Sequence, residues 1–98
     1  MVNMKSIIQK EKECYICGTK NNLDLHHTIF GKNRKKADED GLVVYLCQEH
    51  HKGATGVHGK YGHELDVLLK EISQRKWQKH YNKTEEDFIE RYFKSYLK

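Results

Sequence analysis

The sequence has no proline and only three cysteines among its 98 residues. Without proline there is no proline-rich linker, and neither repeats nor low-complexity segments divide the chain, so we expect one domain over residues 1–98. Three cysteines cannot pair evenly as disulfides. Their number therefore favours metal ligation in a reducing compartment, and hence a cytoplasmic protein, over an extracellular disulfide framework.

Long hydrophobic runs are missing as well. No apolar stretch approaches the roughly 20 residues that a membrane-spanning helix needs, and only 37% of the residues are hydrophobic. The N-terminal segment contains Lys5, Lys10 and Lys12 but no apolar run followed by a small-residue cleavage site, so it lacks the pattern of a signal peptide. We therefore expect no contact with a membrane.

The size and charge of the chain further limit the classes of protein to which it can belong. The core of a 98-residue chain is only marginally stabilising by itself, so a bound metal would help such a domain to fold. The chain carries 18 basic against 14 acidic side chains, a balance that permits nucleic-acid binding without requiring it. For one basic run after Gly31, both a solvated loop and direct contact with DNA are open: Lys32, Arg34, Lys35 and Lys36.

The first half of the chain is predicted to contain a β-hairpin. Residues 23–30 alternate and then become β-branched and aromatic, while residues 42–46 are a short continuous apolar run, and both patterns are typical of strands. The polar segment 31–41 between them is predicted to be a long loop. Residues 3–13 give only a weak signal, either for a short helix or for a frayed arm.

The second half is predicted to be helical, which makes the fold class α+β. Apolar residues recur near the helical period over residues 63–81, with Trp77 as a core anchor. Thr84 and Asp87 have the spacing of a capping box, so a further helix is expected to begin there. The hairpin core then covers about residues 14–60 and the C-terminal helical part about residues 63–98.

Two short clusters supply a complete ligand set for zinc. Cys14 and Cys17 are separated by two residues, and so are Cys47 and His50. Two ligands at this spacing bind one metal from a single turn, and thiolate is a ligand that zinc prefers. We therefore predict one structural Zn²⁺ held by these four side chains, closing one end of the hairpin.

Further histidines surround the same frame and exceed what structural zinc needs. His26 and His27 lie on the first strand, where adjacent side chains point to opposite faces, and His51 directly follows a predicted zinc ligand. Imidazole is both a metal ligand and a base at neutral pH. His58 is predicted to fold back as a third metal ligand or a phosphate contact, because three glycines within seven residues disfavour a straight helix around it: Gly53, Gly56 and Gly59.

The combined pattern resembles a known family. Cys-x2-Cys is followed by a strand ending in His-His-Thr-Ile-Phe and then by Leu-Val-Val-Tyr-Leu-Cys-x2-His-His, an order similar to that of the zinc-bound HNH endonucleases, also called His-Me-finger or ββα-metal nucleases. The match covers about residues 14–58, and the C-terminal part resembles small phage-encoded members more loosely. The resemblance implies a zinc-stapled ββα-metal core with additional C-terminal helices.

The resemblance also implies an activity and roles for individual residues. His27 falls on the family's general base, and His26 and His51 fall on ligands of a catalytic divalent metal, Mg²⁺ or another. His58 is our candidate for the third ligand. The implied reaction is hydrolysis or nicking of DNA to give 5′-phosphate and 3′-hydroxyl ends, with a second copy or a phage or host protein as further partners.

The chain departs from the family at one position. Gly41 stands where the family's middle asparagine precedes the second strand, and Asp40 or Asn33 are the candidates to replace that brace. Two other readings therefore stay open beside the nuclease. The first is a catalytically inactive zinc-binding module that binds nucleic acid, and the second is a zinc-stabilised scaffold that binds protein.

Overall fold

The computed structural model describes residues 6–53, 56–60 and 62–97; the remaining ends of the predicted domain lie outside the described residues. The described chain has the predicted α+β fold, with a two-stranded antiparallel sheet followed by C-terminal helices. None of the helices in this part of the chain is long and apolar enough to cross a membrane. The elements are β1 (Leu23–His27), a 3₁₀ turn (Gly31–Asn33), α1 (Arg34–Asp40), β2 (Val43–Cys47), α2 (Gln48–His51), α3 (His63–His80) and α4 (Glu85–Tyr92).

The hairpin fixes the orientation of the two adjacent histidines. β1 pairs with β2 in a register that runs from Leu23 opposite Cys47 to His27 opposite Val43. Because side chains alternate along a strand, His26 lies on the buried face and is 3% exposed. His27 lies on the other face. β1 is shorter than the predicted strand and ends at His27.

The predicted loop 31–41 is wrong, because most of it is helix α1. Ala37 in the middle of this helix is fully buried. Gly41 ends the helix with φ +79°, a left-handed conformation that glycine adopts without strain, and its N–H faces the carbonyls of Ala37 and Asp38. The charged sequence of α1 has a single apolar residue, so hydrophobic periodicity gives no signal for it.

The segment before Cys14 covers the outer edge of β2 and is not helical within residues 6–13. The N–H of Ile7 donates to the carbonyl of Gly41 at 2.9 Å, and the N–H of Tyr15 donates to the carbonyl of Tyr45 at 2.8 Å. Between them the Gln9 side chain accepts from the N–H of Tyr45 at 2.8 Å. An exposed strand edge is thereby satisfied.

Helix α3 joins two apolar cores. Its inward stripe, Leu65, Leu69, Ser73 and Trp77, has the four-residue spacing of one helix face. Leu69 packs with the hairpin, whereas Trp77 is 4% exposed and packs with the second core, as predicted for a core anchor. The second core consists of Ile29, Ala37, Leu42, Trp77, Phe88 and Tyr92.

The predicted capping box at the start of α4 is also confirmed. The Thr84 side chain accepts from the N–H of Asp87, and the Asp87 side chain accepts from the N–H of Thr84.

Asp40 connects α1 to both C-terminal helices. Its carboxylate accepts from Trp77 Nε1 at 2.8 Å, from Tyr92 Oη at 2.6 Å and from Arg91 Nη2 at 2.9 Å. Burial and this carboxylate raise the pKa of Tyr92, which keeps its hydroxyl protonated as a donor. One carboxylate therefore holds three side chains of α3 and α4 in place.

Replacing Asp40 by alanine is expected to lower the free energy of unfolding by about 2–4 kcal/mol, because three buried or half-buried donors would be left without a charged acceptor. Urea denaturation measures this change. Glu39→Ala is the matched control: its 55% exposed side chain bonds the same Arg91 at 3.3 Å, and its removal should change stability by less than about 1 kcal/mol. Equal effects of the two substitutions would contradict the role given to Asp40.

Candidate metal centre and histidine site

Four donors converge at the end of the hairpin that carries Cys47. The ligand atoms of Cys14, Cys17, Cys47 and His50 all lie within 4.8 Å of one another. Cys17 Sγ lies 3.8 Å from Cys47 Sγ, and His50 Nδ1 lies 3.2 Å from Cys47 Sγ and 3.7 Å from Cys14 Sγ. The zinc set predicted from spacing is thus assembled as one group.

These distances suit tetrahedral zinc. Zn–S bonds near 2.3 Å and Zn–N bonds near 2.0 Å place neighbouring ligands about 3.5–3.8 Å apart. One donor is also prepared for metal binding: burial raises the pKa of Cys14, but hydrogen bonds from the backbone of Cys17, Cys47 and Ile16 outweigh it and bring this pKa to about 6. A thiolate near neutral pH is what a metal ligand requires, so the residues fit Zn²⁺.

Consecutive residues of α2 serve two different groups. His50 faces the cysteines, whereas His51 Nδ1 lies 2.9 Å from Asp24 Oδ2 on β1. Gln48 donates to the same carboxylate oxygen at 2.8 Å. The hydrogen bond from His51 holds the pKa of Asp24 below its usual range. Because Asp24 occupies one ring nitrogen of His51, the other nitrogen is directed away from it.

A second donor group lies beside the first. The ligand nitrogens of His26, His51 and His58 also lie within 4.8 Å of one another, and their ring centroids are 4.9–5.3 Å apart. His26 Nε2 is buried without a hydrogen-bond partner. Burial, followed by the neighbouring His51 and His58, lowers the pKa of His26 to about 3, so its ring stays neutral. A neutral, unsatisfied imidazole nitrogen is a ready metal ligand.

The glycine-rich segment brings His58 into this group. The N–H of Val57 donates to the carbonyl of His50 at 3.0 Å, and the N–H of His58 donates to the carbonyl of His51 at 3.1 Å. Gly56 packs against this backbone so closely that a Cβ there would lie 2.6 Å from the carbonyl carbon of His50. The chain folds back as the sequence predicts; metal binding by His58 stays a prediction.

His27 occupies a separate position at the same opening. Its Nε2 lies 3.0 Å from Asp38 Oδ1 on α1, which leaves Nδ1 for another partner. His27 shares a cavity of about 200 Å³ with the three clustered histidines, Phe30 and Arg34. The base predicted by the family resemblance therefore lies next to the predicted metal ligands, while its role as a base is untested.

Neither candidate replacement for the missing asparagine contacts His27. Asp40 bonds to the C-terminal helices, and the Asn33 amide donates to the carbonyl of Tyr92 at 3.1 Å. The strand end is held instead through Thr28, the residue after His27, whose N–H and hydroxyl both donate to the carbonyl of Leu42, at 3.0 and 3.1 Å. Ser73 Oγ on α3 lies 2.5 Å from Thr28 Oγ1.

The basic run is divided by the helix that contains most of it. Lys32, Arg34 and Lys35 line a cavity of about 510 Å³ together with His27 and Asp38. Residues 34, 35 and 38 share one face of a helix, whereas Lys36 lies on the opposite side. The Lys36 ammonium donates to the carbonyl of Arg91 at 2.8 Å. Three of the four predicted DNA contacts thus adjoin His27 and the fourth does not.

Sequence reasoning missed the two carboxylates that orient site histidines. Asp24 lies two residues before His26, and the period of a strand places both on one face, so this partner was detectable. Asp38 stands in the sequence only as an acidic neighbour of the basic run. Its contact with His27 depends on α1, a helix that the hydrophobic pattern does not predict.

The comparisons with known proteins identify no family for this chain. No family model matches the chain, and no curated protein or solved structure shows significant similarity to it. The fold and the two donor groups beside a small hairpin are therefore what defines this protein, and the family resemblance remains a hypothesis.

We expect the purified chain to contain one tightly bound zinc, and Cys47→Ala to lack both the zinc and the folded state, because structural zinc binding is coupled to folding. Inductively coupled plasma mass spectrometry and circular dichroism measure the two effects. His63→Ala, at an exposed position on α3, should retain both. Well-folded wild-type protein without zinc would contradict the assignment.

Proposed function

We propose that this protein is a metal-dependent endonuclease or nickase of the HNH type that hydrolyses phosphodiester bonds in DNA. The observation that carries the proposal is one cavity shared by two kinds of histidine. His27 is oriented by a carboxylate, and beside it three imidazoles offer their ring nitrogens to one point. A base next to a group of metal ligands is the combination that hydrolysis of an unreactive anion needs.

In this proposal His27 removes a proton from water. Asp38 holds Nε2, so Nδ1 accepts the proton as the water oxygen attacks phosphorus. The bond from phosphorus to the 3′ oxygen breaks, and that oxygen takes up a proton from solvent. The products are a 5′-phosphate and a 3′-hydroxyl, so atoms and charge balance without a covalent enzyme intermediate.

The remaining side chains bind and orient. A divalent metal held by His26, His51 and His58 would supply positive charge for the phosphate and the departing oxygen. Arg34 reaches the same cavity as His27, and Lys32 and Lys35 continue the positive surface next to it. These three cations suit the phosphates on either side of the cleaved bond.

Replacing His27 by alanine should reduce plasmid nicking by about 10²–10⁴-fold, because the general base is removed. Agarose-gel nicking assays with added Mg²⁺ or Mn²⁺ measure the rate, and zinc content with thermal melting checks that the fold persists. The exposed His80 at the end of α3 provides the control, since His80→Ala should nick like wild type. Wild-type nicking by His27→Ala would eliminate this residue as the base.

The same assay separates the proposal from an inactive module. A protein that binds DNA but shows no nicking with any divalent metal would favour the zinc-binding, nucleic-acid-binding reading. A protein that neither nicks nor binds DNA would favour a scaffold for other proteins. The replacement of the middle asparagine by Gly41 makes this separation necessary, since Thr28 and Leu42 hold the strand end differently.

Changing Lys32, Arg34 and Lys35 together to glutamine should weaken DNA binding and lower the slope of log K against log salt by about 0.9 for each duplex phosphate that is no longer neutralised. Fluorescence anisotropy at several salt concentrations measures the slope. Lys76 and Lys79, exposed on α3, serve as the control pair and should leave the slope unchanged. An unaltered slope in the triple variant would show that these cations are only solvated.

A further inference from the structure

Phe93 has a conformation and an exposure that folding does not explain. It ends α4 with φ +67°, a left-handed backbone conformation that bulky L-residues rarely adopt. Glycine is the usual residue at this point of a helix. The side chain is 69% exposed, the largest value among the large hydrophobic residues of the described chain. An aromatic ring is therefore kept at a strained position without being buried.

The surroundings of the ring are positively charged. The Lys36 ammonium lies 4.3 Å from the ring centroid of Phe93, where the carbonyl of Arg91 holds it by a hydrogen bond. Lys94, the next residue, is exposed. The contact with Phe93 assigns a place to Lys36, the one residue of the basic run that does not adjoin His27. A cation that packs on a ring also sets the orientation of that ring.

The ring is connected to the loop that leaves β1. Asn33 in the 3₁₀ turn donates to the carbonyl of Tyr92, directly before Phe93. Lys32, its neighbour in the same turn, lines the cavity of His27. The 3₁₀ turn therefore links the cavity of His27, through Lys32, to the residue directly before Phe93, through Asn33.

We propose that Phe93 is a stacking platform for an unpaired base of the bound DNA, an inference that rests on the proposed function. Bases within a duplex are already stacked on their neighbours, whereas an unpaired base offers its face to an aromatic side chain. An exposed ring that carries a lysine ammonium combines the two features of single-strand binding, namely stacking and neutralisation of phosphates. The substrate class is DNA with a single-stranded segment adjoining the cleaved bond.

The test uses the full chain carrying His27→Ala, so that binding is measured without cleavage. Fluorescence anisotropy gives Kd for a labelled single-stranded oligonucleotide and for its duplex. Adding Phe93→Gly should weaken single-strand binding about 5- to 150-fold and leave duplex binding unchanged. Phe93→Trp, which keeps an aromatic ring at this position, should bind the single strand as tightly as the His27→Ala parent.

Stability separates stacking from a structural role. Phe93→Gly should raise Tm, because glycine adopts the left-handed conformation without strain. Asn82→Gly is the matched control: Asn82 also has a positive φ, +54°, so its replacement should raise Tm while leaving both Kd values unchanged. The control thus shows that relief of backbone strain by itself does not alter binding.

Each outcome decides between specific claims. If the Phe93→Gly protein binds the single strand as tightly as the His27→Ala parent, the stacking platform is overturned. If it binds the single strand and the duplex more weakly by the same factor, the preference for unpaired bases is overturned. If the parent protein binds neither oligonucleotide, the proposed function fails together with this inference. If the parent binds and only the stacking effect is missing, the proposed function survives.

Discussion

The convergence of Cys14 and Cys17 with Cys47 and His50 is the constraint on which the rest of the site depends. Two five-residue strands are at best marginally stable as an isolated hairpin in water. The four donors tie the turn before β1 to the point where β2 becomes α2. Because His50 is fixed toward the cysteines, the next residue of the helix, His51, is fixed toward β1. A metal bound there would stabilise the fold and the second histidine group together.

From that frame the second donor group follows by local geometry. β1 places His26 on the buried face and His27 on the other, so one strand presents a histidine to each of two surroundings. The backbone hydrogen bond from His58 to His51 adds a third imidazole. Asp24 and Asp38 then orient one ring each from outside the cluster. Our proposal needs little more than this, because hydrolysis requires a base, a source of positive charge and contacts to phosphate.

Much of this arrangement could be predicted from the sequence, because ligand spacing and strand alternation are local properties. The zinc donors and the α3 helix follow from residues two to four positions apart. The return of His58 follows from the glycines before it. Helix α1 could not be predicted in this way, since Ala37 alone marks its buried face, and without α1 the contact between His27 and Asp38 could not be foreseen. The partners of Asp40 were equally inaccessible, because Trp77 and Arg91 are 37 and 51 residues distant along the chain.

The central claim is that the chain holds two metal sites of different chemistry. Crystals of the zinc-loaded protein soaked with Mn²⁺ test it most directly, through anomalous diffraction at the absorption edges of both metals. We expect zinc among the three cysteines and His50, and manganese among His26, His51 and His58, with His26 Nε2 as a ligand. Zinc at the first site combined with no metal among the three histidines would contradict the account. The second group would then be a packed histidine cluster, and the proposed hydrolysis would lack its source of positive charge.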